Sequence, residues 1–148
     1  MGAVQLTGLD GLQKRIQAVI DDNPDRRREM HGRIAERLLQ KVQGEIGGSG
    51  RIAGMQEAAV GSGGGYAAVR PRKGKDRTGY AYSAITNAVE NGHAIRRPSG
   101  FVKGYRARIR KRYVLGKHFY ARSRTEALRI ALDEAGKWAD EIVKTLRG

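Results

Sequence analysis

At 148 residues the chain has the length of one ordinary domain, enough to bury a core and too short for two independent ones. Its 29 Lys and Arg against 15 Asp and Glu give a formal charge of +14, which favours a polyanion or an acidic protein surface as partner. There is no cysteine, which excludes disulfide scaffolds and thiolate metal sites and fits folding in a reducing cytoplasm.

Aromatic residues make up only 6%, so the core is thin and burial against copies of the chain or a partner would help stability. The opening MGAVQLTGLDGLQ lacks the basic region and continuous apolar run of a secretory signal. No window approaches the roughly 20 apolar residues of a membrane span. A soluble protein without a membrane partner is expected.

After a short alternating piece from Val4 to Leu6, Leu9, Leu12, Ile16, Val19 and Ile20 recur at helical spacing. Thr7 stands where an N-cap belongs, Asp10 follows three residues on, and Asn23-Pro24 is expected to end this first helix. A second helix is predicted from Asp25 to about Ile46, with Met30, Ile34, Leu38 and Val42 in one row beside Ala35 and Leu39. Glycine clusters then surround two short predicted strands, Met55–Val60 and Tyr66–Arg70. The GSGGG between them has no following Lys-Ser/Thr and opens no helix, so it reads as a hairpin loop and not as a phosphate loop.

A weakly alternating or helical run follows, closed by Asn91-Gly92, a strong turn dipeptide. From Asn91 to Thr125 there are eleven Lys and Arg and no acidic residue. Pro98-Ser99-Gly100 marks a loop tip. In GYRARIRKRY, residues 104–113, a strand would carry Arg106, Arg108, Arg110 and Arg112 on one face and Tyr105, Ala107, Ile109 and Tyr113 on the other. Alternate arginines stand roughly 6.5–7 Å apart, close to the spacing of successive phosphates on one strand. No recognition helix, zinc finger or RNA-binding aromatic motif accompanies them, and a solvated or protein-facing basic strand is favoured over DNA contact.

The last predicted element is a helix from about Thr125 to Leu146. Ser123 and Glu126 have capping-box spacing, and Leu128, Ala131, Leu132, Ala135, Trp138, Ala139, Ile142, Val143 and Leu146 trace one apolar stripe in which Trp138 is a core anchor. The fold class is therefore α+β: two amino-terminal helices, a small mostly antiparallel sheet with a long basic hairpin or arm, and a long carboxy-terminal helix packed on the sheet. A single domain is expected, with a helical part at 1–46, glycine-rich strands and the basic arm at 47–122, and the terminal helix at 123–148.

Chemistry is sparse. His31, His93 and His118 lie far apart, and Glu90 and His93 could share a site but lack a third ligand. Serines occur without a nucleophile-elbow context. No cofactor, no metal site and no enzymatic activity are expected.

AITNAVENGHAIR (84–96) followed by GKHFYARSRTEA (116–127) resembles the tail-completion or neck proteins of lambda-like long-tailed bacteriophages. The likeness runs in order along nearly the whole chain: Gly8-Leu9-Asp10-Gly11-Leu12, then Asn87-Ala88-Val89-Glu90-Asn91-Gly92-His93, then His118-Phe119 as an aromatic strand end before the terminal helix. The family's aromatic before the Val-Glu pair is absent here, where Asn87 and Ala88 stand.

The resemblance implies a structural virion protein, made in the host bacterial cytoplasm, that forms a sixfold homo-oligomeric ring at the head–tail joint. Connector, tail-terminator or tail-tube proteins would be its neighbours, and genomic DNA would pass nearby. Arg96, Arg97, Lys103, Arg106, Arg108, Arg110 and Arg112 would then dock on an acidic neighbour or line the DNA channel. Glu90 would cap or pair locally with one of these arginines, or pair across subunits. The competing expectation is a free basic DNA-binding protein or transient assembly factor, with tight, salt-sensitive binding by the monomer.

Overall fold

The computed structural model of the chain describes residues 9–47, 50–95 and 111–147. In chain order these form α1 (Leu9–Ile46), α2 (Gly50–Ala53), β1 (Gln56–Val60), β2 (Ala67–Pro71), α3 (Tyr82–Asn91), β3 (Gly92–Ala94), β4 (Tyr113–Leu115) and α4 (Phe119–Arg147). The fold is α+β, with α1 and α2 at the amino-terminal side, two small two-stranded sheets, and a long carboxy-terminal helix. Two compact units share these elements. The first gathers α1 up to Leu39, Ala58–Val69 and α4 from Thr125; the second gathers Gln40–Glu57 and the described residues between Arg70 and Arg124.

The expected helix end at Asn23-Pro24 does not occur, because Pro24 lies inside α1. Proline removes the N–H that would pair with the carbonyl four residues back, here that of Ile20. Pro24 is exposed and Ile20 is 57% exposed, so water can take that carbonyl and the helix continues in register.

In the first unit, Met30 and Ile34 of α1 and Ile130 of α4 form a buried cluster, against which Leu38, Ala67 of β2, Ala131, Ala135 and Trp138 pack. The row expected on the second helical stretch is therefore the core face, and Trp138 anchors it. Of the expected stripe on α4, Ala131, Ala135 and Trp138 pack on this cluster, whereas Leu128 and Leu132 are 65% and 66% exposed and the fully buried positions are Ile130 and Glu134. Glu134 can take an inward position because Arg33 Nε (2.9 Å), Arg37 Nη1 (2.6 Å) and Lys137 Nζ (3.1 Å) all donate to its carboxylate. A periodicity of apolar residues alone misses a stripe that includes a paired charge.

β1 and β2 pair as a hairpin. Gly61 N–H donates to the Tyr66 carbonyl (3.0 Å) and Arg72 N–H to that of Met55 (2.7 Å), which fixes the strands as antiparallel. At the hairpin tip, Arg27 and Arg28 donate to the carbonyls of Gly63 and Ser62, both at 3.3 Å. The glycine loop thus offers oxygens to cations, opposite in polarity to a phosphate cradle.

In the second unit, β3 and β4 run antiparallel with Gly92 opposite Leu115, His93 opposite Val114 and Ala94 opposite Tyr113. Ile95 N–H continues the ladder to the Arg112 carbonyl at 2.9 Å. This ladder is the base of the basic connection read from the sequence. Its arginines and lysine Arg96, Arg97, Lys103, Arg106, Arg108 and Arg110 lie outside the described residues; Arg112 lies within them and is exposed.

Candidate functional site

The pieces Asn87–His93 and Gly116–Phe119 meet in the second unit. α3 ends at Asn91, and Gly92 takes a positive φ of 80° that turns the chain into β3. A Cβ on Gly92 would lie 2.7 Å from the Gly116 nitrogen, and one on Gly116 would lie 2.6 Å from the Asn91 carbonyl carbon. Glycine at both positions lets two backbones touch. The contact brings Lys117 N–H to the Val89 carbonyl (2.8 Å) and His118 N–H to the Glu90 carbonyl (3.1 Å). Those bonds hold His118 at a φ of 52°, a left-handed conformation that a side-chain-bearing residue adopts at a cost of about 1–2 kcal/mol.

Immediately after that turn α4 begins. Glu90, 9% exposed, accepts the Tyr120 N–H at Oε2 (3.2 Å) and the Ala121 N–H at Oε1 (3.3 Å). A carboxylate against the first turn satisfies helix donors that have no partner within the helix and meets the positive end of its dipole. Phe119, fully buried, fills the space beside it, its ring centroid 4.7 Å from that of Tyr120. Capping is the first of the roles expected for Glu90, and both carboxylate oxygens accept backbone amides here; of the arginines with which it would otherwise pair, all but Arg112 lie outside the described residues.

Two expectations are corrected at the same place. His118-Phe119 opens α4 and does not close a strand, since β4 stops at Leu115. The Ser123 and Glu126 box does not form, because α4 starts at Phe119 and Ser123 lies inside it. Ser123 Oγ donates back to the Phe119 carbonyl at 2.8 Å, and Glu126 is paired with Arg129. The cap that sequence places locally is supplied by Glu90 from 30 residues away.

Behind the cap runs a buried polar chain. The Tyr120 hydroxyl donates to Gln56 Oε1, and Gln56 Nε2 donates to Thr86 Oγ1 (3.1 Å) and to the Ile52 carbonyl (3.2 Å). Burial first, and the charge of Glu90 second, push the Tyr120 hydroxyl up to about 12. It is a fixed hydrogen-bond donor at neutral pH. Gln56, Thr86 and Tyr120 were not singled out from the sequence, since no local spacing links positions 56, 86 and 120.

The remaining motif residues stay apart from any reactive cluster. Asn91 Nδ2 donates to Asn87 Oδ1 at 2.6 Å, and His93 Nδ1 lies 3.5 Å from the Ala88 carbonyl. His31 Nδ1 lies 3.0 Å from the Arg27 carbonyl. Among the described residues no group of three His, Cys, Asp or Glu is placed to hold a metal ion. No protein-family model matches the chain, and no match is found among curated proteins or solved structures.

Proposed function

We propose that the chain is a structural virion protein of a tailed bacteriophage, a tail-completion or neck component that forms a ring at the head–tail joint and helps connect the tail to the DNA-filled head. The observation that carries this is the convergence of the two motif pieces. Glu90 and Gly92 from one, and His118 and Phe119 from the other, build a single junction, which gives a physical reason for both pieces to occur in one chain.

Support for assembly with copies of itself comes from apolar residues left uncovered. Leu12, Ile16 and Ile20 of α1 are 39%, 42% and 57% exposed at four-residue spacing, so they share one helix face. Burial of that row against a neighbouring copy would add to a small core. In this function the chain is not an enzyme. Arg96, Arg97, Lys103, Arg106, Arg108, Arg110 and Arg112 contact an acidic neighbour or the DNA channel.

Electron cryo-microscopy of the head–tail joint, in the particle whose genome encodes the chain, tests this. The expected result is ring density of this fold between connector and tail tube. Absence of the chain from the mature particle overturns the proposal in favour of a free DNA-binding or transient assembly factor.

A further inference from the structure

In the second unit a cleft of about 660 Å³ opens between α2 and the loop that follows β2, and its walls carry Arg51, Arg72, Lys75, Arg77, Asp76 and Tyr82. The loop is braced along its length. Lys75 and Ala81 form an antiparallel bridge, Tyr82 N–H donates to the Gly74 carbonyl (3.0 Å), and Asp76 N–H donates to the Tyr80 carbonyl (2.9 Å). Arg72 is pinned through its N–H to the Met55 carbonyl. The cations therefore project from a fixed backbone.

Among the described residues that line the cleft, the single carboxylate is consumed internally. Asp76 Oδ1 accepts the Thr78 N–H (2.9 Å), the Thr78 hydroxyl (2.7 Å) and the Tyr80 N–H (3.0 Å), and Oδ2 accepts Arg51 Nη2 (2.6 Å). Its side chain is 8% exposed, so it neutralises Arg51 and shapes the loop. Arg72, Lys75 and Arg77 are exposed and have no acidic partner among the described residues. Three like charges held around one concavity repel each other until an anion enters.

We propose that this cleft is a sequence-independent binding site for the phosphodiester backbone of duplex DNA, with Arg72, Lys75 and Arg77 contacting phosphate oxygens and Arg51 in reserve through its link to Asp76. Arginine forks match phosphate oxygens in pairs, and lysine adds a compact charge. The formal +14 of the chain brings a polyanion toward the site more strongly than it brings an isolated anion. Contacts to phosphate oxygens position a protein on the duplex and carry no sequence information, so binding at this site does not depend on sequence. The site is separate from the basic stretch read from the sequence, and it does not depend on where the chain resides in a particle.

The test is fluorescence anisotropy of the purified full chain with a labelled DNA duplex over a range of salt, comparing R72A/K75A/R77A with the charge-matched K14A/R15A/K144A. The cleft variant is expected to bind about tenfold or more weakly, and its dependence of log K on log salt should flatten by roughly 2–3, the share of three phosphate contacts. The control should change far less. Equal losses in the two variants, or polyglutamate binding the cleft as tightly as DNA, would overturn the proposal. Should the cleft variant not fold, NMR of the unmodified chain decides. The amides of Gly54 and Gly74 to Thr78 must shift on addition of duplex, and if they stay in place while others move the site is wrong. Failure here leaves the particle location untouched, because imaging of the joint reports that separately.

Discussion

Two buried glutamates are satisfied in opposite ways. Glu134 is met by Arg33, Arg37 and Lys137, long cationic side chains that are 41%, 37% and 55% exposed. Glu90 is met by two backbone N–H groups at a helix start, beside two glycines through which backbones touch. Flexible side chains can re-aim if a neighbour changes and can reach water if their partner is lost. Backbone donors can do neither. The surroundings of Glu90 are therefore expected to tolerate almost no substitution, and those of Glu134 to absorb several.

The largest effect expected from breaking this contrast is at Phe119. Phe119→Ala empties the fully buried position beside the Glu90 cap and should cost about 3–5 kcal/mol in urea unfolding. Gly116→Ala comes next, at about 1–3 kcal/mol by the same measurement, since the added methyl meets backbone that has no free rotamer to yield. A loss within about 0.3 kcal/mol would mean that the backbone contact is looser than described.

Glu90→Ala should cost about 1–2 kcal/mol through the lost cap, and hydrogen exchange at Tyr120 and Ala121 should rise with it. Glu134→Gln should cost about 1 kcal/mol, less than a fully enclosed pair would, because its cations regain solvent. Added salt should shrink the Glu134 effect and leave the Glu90 effect nearly unchanged.

The smallest effect is a pH dependence. Hydrogen bonds from Arg37 and Lys137 hold the Asp133 carboxyl below its ordinary value. At Glu134 burial pushes upward, but the donors Arg37, Lys137 and Arg33 outweigh it and the carboxyl also lies low. The unfolded chain then takes up protons before the folded one as pH falls. The contribution of these groups is complete above the ordinary carboxylate range and is lost as pH drops from that range through their lowered values. Thermal melts between pH 5 and about pH 2 should show it, and Glu134→Gln should flatten the slope.

Much of the fold was legible in sequence because much of it is local. The row Met30, Ile34, Leu38 and Val42, the two glycine-bounded strands and the Asn91-Gly92 turn each depend on residues a few positions apart. What escaped depends on distance along the chain. The start of α4 is set by Glu90, 30 positions earlier, so a local Ser123–Glu126 spacing pointed to the wrong residue. The α4 core line passes through Glu134, whose partners Arg33 and Arg37 stand about a hundred positions away. Pro24 ended a helix on paper because its exposed setting, which makes the missing bond cheap, is a property of the fold.

That same proline has a consequence for how α1 behaves over time. Residues 11–25 of the helix contain no buried side chain, and its ladder lacks the rung at Ile20. A helical stretch of that length with so little tertiary cover, only Val19 and Asn23 being half-buried, sits near the nucleation limit for water. Its amides should exchange with solvent by local opening far more readily than those around Met30 and Ile34. A bound neighbour that covers Leu12, Ile16 and Ile20 would close that opening, so slowed exchange in this one segment on raising protein concentration would record association as it happens.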